Sequence, residues 1–439
     1  MTAVVGVPAS PNRRPLFALL TANAISGFGN EMAALAIPWF VLQTTGNPAD
    51  VGLTAFTMLV PYIIATFAGG SLVDRLGFRR MSVVADIASG VTVALIPLLH
   101  VTTGLNLATI LALVFLGTLL DAPGIAARQS MIPEIAETAR LPLERANSVF
   151  ESVLQFKNFL GPLAAGILIA TTSASFVLTV NALTFAVSAM LIGVGVPLIR
   201  AIEAEKASGV RAAVGRTLAG LRFIRDDTVL LGLALMSMLA NMRIAPLFLV
   251  IMPVYADQIF DGPVGLGVAL SAFGLAALAG AIAYGAVARQ VPRRIWYIAT
   301  TAASVAGFCV LVALPGIAGA TFAMALVGVT SGAGRPFTAT IRQERTPLAV
   351  RGRVFGANLA LIELASPLGV LVAGWLLATI DLRFTIGLFA AAGLAQTAAI
   401  TVLPPFREER LSRRPVQMQN SAYNAPASTR TQTGSEDGS

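Results

Sequence analysis

The stretch Gly70-Ser71-Leu72-Val73-Asp74-Arg75-Leu76-Gly77-Phe78-Arg79-Arg80-Met81-Ser82-Val83 decides how the rest of the chain is read. It lies between two long apolar runs, so a short polar turn carrying Asp74, Arg75, Arg79 and Arg80 falls where two membrane helices meet the cytoplasm. Gly77 is expected to permit the tight turn. The basic residues satisfy topology whatever else they do; Asp74 has no such reason to be there, so it carries the functional weight of the stretch.

Outward from this turn the composition is that of a polytopic membrane protein. The 439 residues are 56% hydrophobic and 12% charged, with a mean hydropathy of +0.78, far from the balance of a soluble domain. Twelve apolar runs each approach the roughly 20 residues that cross a bilayer: 16–42, 51–73, 80–101, 105–127, 148–171, 175–198, 229–254, 264–288, 293–314, 318–338, 354–379 and 384–403. With both ends inside, 26 of the 30 basic residues fall in cytoplasmic segments and one, Arg383, outside. That asymmetry follows the positive-inside rule, gives a multi-pass protein of the cytoplasmic membrane with both termini cytoplasmic, and accounts for the formal charge of +8 without nucleic acid.

The fold expected is all-α, twelve transmembrane helices in two six-helix bundles. The bundles are placed at 1–199 and 229–405, joined by a cytoplasmic linker at 200–228 with a surface helix near Val214 to Ile224. A polar tail follows at 406–439, expected to be disordered. An internal repeat supports the two halves: Pro38 matches Pro253, Gly52 matches Gly267 and Gly70 matches Gly285 at 215 residues, and Arg128-Gln129 matches Arg342-Gln343 at 214. Such parallel repeats handle substrate between them near the bilayer midplane. The second copy of the turn lacks the aspartate.

Chemistry is narrowed by what is missing from the sequence. Its two lysines, Lys157 and Lys206, belong to no G-x-x-x-x-G-K-[ST] loop, so there is no recognisable ATP cradle. One histidine and one cysteine assemble neither a metal centre nor H-E-x-x-H. An enzyme would need a reactive cluster that this composition does not supply, and no cofactor is expected beyond protons as coupling ion.

A charge at the centre of a membrane helix costs about 2.5–3.5 kcal/mol on insertion scales and therefore faces a partner or water. Glu31, Asp86, Asp121, Glu151, Lys157, Arg243, Arg335 and Glu363 are such charges. Asn23, Ser26 and Asn30 share a face of the first span with Glu31 at its edge. Glu151, Gln155 and Asn158 recur at i, i+4 and i+7 on one face of the fifth. Glu31, Glu151, Glu363 and Asp121 are the candidate proton carriers, since a carboxylate in low dielectric exchanges protons near neutrality. The alternative for Glu31 is a structural pair with a cation such as Arg243. Lys157 either pairs with a carboxylate or snorkels to the interface. Asp121 and Arg128 lie about 10 Å apart along a straight helix, which predicts separate partners, with the Asp74/Arg75 turn nearest, or a helix-end role for Arg128. Arg243, Arg335, Met242, Asn23, Asn30, Gln155 and Asn158 are the candidate cavity residues.

The pattern G-x-L-x-D-R-x-G-x-R-R resembles the loop signature of the major facilitator superfamily. Gly70, Asp74, Arg75, Gly77, Arg79 and Arg80 would by that likeness form a gating loop. Gly161-Pro162-x-x-x-Gly166 resembles the fifth-helix signature of its antiporters, with Lys157 where that signature has glycine; it implies a helix bend and close packing at Gly161 and Pro162. Proton-driven exporters of this kind hold an acidic residue after a glycine in the first span; here the run is Gly29-Asn30-Glu31, one position displaced. Ile37-Pro38-Trp39-Phe40-Val41-Leu42, Arg128-Gln129-Ser130-Met131-Ile132-Pro133 and Arg351-Gly352-Arg353-Val354 look like the branch containing macrolide and enterobactin exporters. Within it the chain is similar to Tap-type efflux pumps of mycobacteria and related actinobacteria. This resemblance implies drug:proton antiport by a monomer in the lipid bilayer, exporting small-molecule drugs such as tetracyclines and aminoglycosides. The rival on the same fold is an exporter of an endogenous siderophore or lipid-like metabolite.

Overall fold

The computed structural model describes residues 12–197, 210–260, 262–287, 290–347 and 350–412; the side chains of 66–75, 144, 148, 151, 155, 210–214 and 216 are outside that description. The roles expected of the Gly70, Asp74, Arg75, Glu151 and Gln155 side chains, and the expectations for the linker at 200–209 and the tail at 413–439, therefore lie outside the described residues.

Lipid offers the backbone no hydrogen bonds, so each apolar run closes its own as a helix. Twelve helical spans are long and apolar enough to cross a membrane. The first six are α1 (Arg14–Thr45), α2 (Pro48–Leu76), α3 (Phe78–Thr102), α4 (Leu107–Ser130), followed by the short α5 (Ile132–Thr138), then α6 (Leu143–Thr171) and α7 (Ala174–Gly195). After the connecting helix α8 (Val210–Asp226) come α9 (Thr228–Pro246), a π-helical turn (Leu247–Ile251) and α10 (Met252–Ile259), which together make one span. The last five are α11 (Pro263–Val287), α12 (Arg293–Val312), α13 (Ile317–Arg345), α14 (Arg351–Thr379) and α15 (Leu382–Val402), and α16 (Glu408–Ser412) closes the described chain. Short polar residues start several spans: Asn106, Ser173 and Asp381 each accept a backbone N–H of the first turn of α4, α7 and α15.

The opening stretch is more helical than its polarity predicts. Residues through Leu76 belong to α2 and residues from Phe78 to α3, leaving Gly77 alone as the turn, at φ 78°. Only glycine adopts that backbone without strain.

Spans α1–α4, α6 and α7 pack as one bundle and α9–α15 as a second, with α2 against α14 and α6 against α11 between them. These crossings are made by glycines. A Cβ on Gly52 would lie 2.8 Å from the Val370 carbonyl and 2.9 Å from Gly374 Cα, and one on Gly267 would lie 2.6 Å from the Pro162 carbonyl and 3.1 Å from Gly166 Cα. Small residues let membrane helices approach to backbone contact. The repeat partners Gly52 and Gly267 thus do the same work in the two halves.

The two ends of the molecule differ. Towards the arginine-poor end one apolar core, including Trp39, Val51, Ile96, Val177, Tyr255 and Leu376, draws on spans of both bundles. Gln43 there donates to Asp257 across the bundles at 2.8 Å. Towards the arginine-rich end the apolar clusters of the described residues are separate, two in the first bundle, around Leu19 and Ile135 and around Met81 and Ala127, and two in the second. Among the described residues the two bundles share an apolar core at the arginine-poor end and not at the other.

Two expectations are corrected at the arginine-rich end. The connecting helix is longer than Val214 to Ile224 and docks on α14, with Ile224 buried beside Val354 and Ala357. The tail does not become unstructured at 406. Phe406 is buried against Tyr297, and Glu408 accepts the backbone N–H groups of Arg293 and Arg294 at 3.2 and 2.7 Å, capping α12.

Candidate functional site

In the first bundle the membrane charges gather into a chain of contacts. Lys157 on α6 donates to Glu31 Oε1 on α1 at 2.9 Å. Its stem runs over Gly27, where a Cβ would lie 2.7 Å from Lys157 Cδ, and Gly161 makes room for Glu31 in turn. The close packing expected at Gly161 is therefore the seat of this ion pair. Asn158, with its amide oriented to donate, adds a second hydrogen bond to Glu31 Oε1 at 3.0 Å. Glu31 pairs with Lys157 and not with Arg243, which belongs to the other bundle.

Next to Glu31 on α1, Asn30 donates to Asp121 Oδ2 at 2.8 Å. Arg128 stands 1% exposed between three helices, donating to Ser26 on α1 at 2.5 Å, Ser188 on α7 at 3.3 Å and Asp86 on α3 at 3.1 Å. Ser188 in turn donates to Asp86 at 2.7 Å. The Arg128 guanidinium also comes within 3.7 Å of Asp121 Oδ1. This corrects the expectation that the two are too far apart. Arginine's long side chain points back towards the helix N-terminus and covers the axial gap. Among the described residues Arg128 is the centre of a buried network rather than a helix-end cap; the expected contact with the Asp74/Arg75 turn lies outside the described side chains.

Asp86 went unassigned in the sequence, where it was one membrane charge among eight. The signal was present: Ser82, Asp86 and Ser89 fall on one face of α3, and all three are buried. Among the described residues of the network three carboxylates, Glu31, Asp86 and Asp121, face two cations, Lys157 and Arg128. Buried charge of one sign in excess is costly in low dielectric, and a carboxylate escapes the cost by taking up a proton.

The second bundle holds a cavity of about 540 Å³ on the arginine-rich side, reaching to mid-span. Arg243, Arg335 and Glu363 line it, as does Met236. Met242, expected as a wall residue, does not line it; its backbone carbonyl packs instead against Gly369. Asn23 is buried in α1, and Asn30 and Asn158 serve the carboxylates rather than this cavity. Tyr297, Asn358 and Gln396 complete much of the polar lining and were not foreseen, since single polar residues in apolar helices carry no periodic signal.

In the first turn of α3, Arg79 donates to the Gly193 carbonyl near the end of α7, tying the two helix ends together. Arg80 is exposed.

Two helical bundles packed together at one end, with buried charge in one and a polar cavity in the other, have the architecture of a membrane transporter. The chain belongs to the major facilitator superfamily, whose family model matches residues 19–265 and 247–430. It is 32% identical to the multidrug efflux pump Tap of Mycolicibacterium fortuitum over 407 residues, covering 92% of this chain and 99% of that one. It is also 32% identical over 403 residues to Tap of Mycobacterium tuberculosis H37Rv, covering 90% and 95%. Among solved structures it superposes on the nucleoside transporter NupG with a TM-score of 0.73 at 11% identity, covering 89% and 98%, which shows a shared fold. These relatives are transporters, not enzymes.

Proposed function

We propose that the protein is a multidrug efflux pump that exports tetracycline- or aminoglycoside-like drugs across the cytoplasmic membrane in exchange for protons. The observation that carries this reading is the buried network of three carboxylates for two cations, in a chain that aligns with Tap over nearly its whole length. A proton resident in that network balances its charge; releasing it on one side and regaining it on the other couples the gradient to drug movement. Glu31 and Asp121 are the proposed carriers, with Glu151 and Glu363 as further acidic candidates. Alternating access moves the seal from the arginine-poor end to the arginine-rich end, the former facing outward and both termini facing the cytoplasm. The protein works as a monomer, with the Asp74 turn as part of the inner gate.

The test is drug accumulation in a deletion strain and in the same strain with the gene restored. Raised tetracycline accumulation in the deletion, reversed on restoration, is the expected result. Unchanged accumulation together with the loss of a secreted siderophore or lipid-like metabolite overturns the drug reading in favour of an endogenous substrate.

A further inference from the structure

The cavity of the second bundle is built around a cation that has no counterion among the described residues. Arg243 is 2% exposed on α9. Its Nη2 donates to Gln396 Oε1 at 2.8 Å, and Gln396 is itself fixed by donating to the Met236 carbonyl at 2.9 Å. The guanidinium lies 5.4 Å from the centre of the Phe308 ring. Its Nε and Nη1 meet no acceptor among the described residues, and no described carboxylate lies in ion-pair range. Gly393 leaves the space that Nη1 occupies, so a side chain there would collide with the guanidinium. Neither the amide of Gln396 nor the ring supplies the negative charge that a buried guanidinium calls for.

The remaining charges of the cavity are mostly of the same sign. Arg335 and Arg342 also line it, against the single carboxylate of Glu363. In the internal repeat Arg342 matches Arg128, and Arg335 falls in the register of Asp121, seven residues before it. The first bundle therefore balances its arginine with acids, while the second has replaced the corresponding acid by another arginine.

We infer that the second-bundle cavity is a binding site for the anionic group of the transported molecule, a carboxylate or ionised enolate held by Arg243 with Arg335 and Arg342 nearby. The inference deepens the efflux reading and rests on it for the word transported. A guanidinium offers two parallel donors to a planar oxyanion. The cavity volume suits a multi-ring organic acid or zwitterion. Of the two drug chemistries proposed above, a tetracycline-like zwitterion fits this site and a polycationic aminoglycoside does not.

The test uses the full chain in nanodiscs and two dyes differing only in one charge: rhodamine B, which carries a free carboxylate, and its ethyl ester, in which that carboxylate is masked. Fluorescence anisotropy reads both affinities in a low-ionic-strength zwitterionic buffer free of chloride and of carboxylates. The expected result is about tenfold or more tighter binding of the acid, the scale of a charge-assisted pair. Arg243→Gln should bring the ratio to about one while leaving the ester's affinity unchanged. Should Arg243→Gln fail to fold, Arg335→Gln, at the exposed part of the cavity, should lower the ratio by several-fold. Equal binding of both dyes by the wild-type protein overturns the anion site and leaves efflux standing. A preference abolished by millimolar chloride also overturns it, by assigning the cation to a small inorganic ion. Failure of the efflux reading shows separately, in the accumulation assay, whichever dye binds.

Discussion

Asp121 and Arg335 stand 214 residues apart, in corresponding registers of α4 and α13, and carry opposite charges. Seven residues further along, the two helices agree again, with Arg128 and Arg342. One exchange of sign makes two related bundles electrostatically unlike. Asp121 lies beside a buried arginine and with Asp86 and Glu31 leaves an excess of carboxylate, whereas Arg335 adds to an excess of guanidinium around the second cavity. The division of labour proposed here, protons in the first bundle and an anionic group in the second, grows from that exchange.

The Arg128 network should be a principal source of stability in the first bundle. Arg128→Ala leaves Asp86 buried without its cation and is expected to cost about 3–5 kcal/mol. Arg80→Ala, at an exposed arginine two helical turns from the network, should cost under about 0.5 kcal/mol. Thermal unfolding of both variants in nanodiscs measures the difference, and equal melting temperatures would refute the central place given to Arg128.

The glycine crossings should govern closure of the arginine-poor end. A Cβ on Gly374 would lie 2.8 Å from Gly52 Cα and 3.0 Å from the Pro48 carbonyl, so Gly374→Leu forces α2 and α14 apart. Gln43 and Asp257, hydrogen-bonded across the bundles, provide the readout. In a background with Cys309 replaced by alanine, Gln43→Cys with Asp257→Cys should cross-link readily. Adding Gly374→Leu should reduce the yield several-fold; an unchanged yield would show that the crossing does not set the seal.

The ordered start of the tail should matter and the remainder should not. Phe406→Ala removes a ring that is 1% exposed and packed on Tyr297, and is expected to cost about 3 kcal/mol. Truncation after Ser412 preserves the Glu408 cap on α12 and should leave the melting temperature unchanged. Truncation after Pro404 should lower it.

Asp74→Asn tests the gating role assigned to the turn. Export of tetracycline should fall while the amount of protein in the membrane fraction stays constant. Undiminished export would reduce the turn to a marker of topology.

Much of the fold was legible because a bilayer imposes a simple code. Apolar runs near 20 residues and the placement of arginine predicted all twelve spans. The largest shortfall was at the inner end of α13, which continues to Arg345 because Arg342 and Arg345 are accommodated by protein rather than by lipid. The site was legible only in part. Glu31, Asp121 and Arg243 stood out as charges in apolar helices, but their partners were decided by packing between helices distant in sequence. Gly27 and Gly161 bring Lys157 to Glu31 across 126 residues, and nothing local to either residue announces it. The misjudged separation of Asp121 and Arg128 came from measuring along the helix axis and neglecting the reach of arginine.

The central claim, that the first-bundle carboxylates carry the coupling proton, is tested most directly by drug uptake into inverted membrane vesicles with and without an imposed pH gradient. Gradient-driven uptake is expected of the wild-type protein, with its loss in Glu31→Gln and Asp121→Asn while both variants remain folded and still bind drug. Gradient-driven uptake at the wild-type rate in both variants would contradict it.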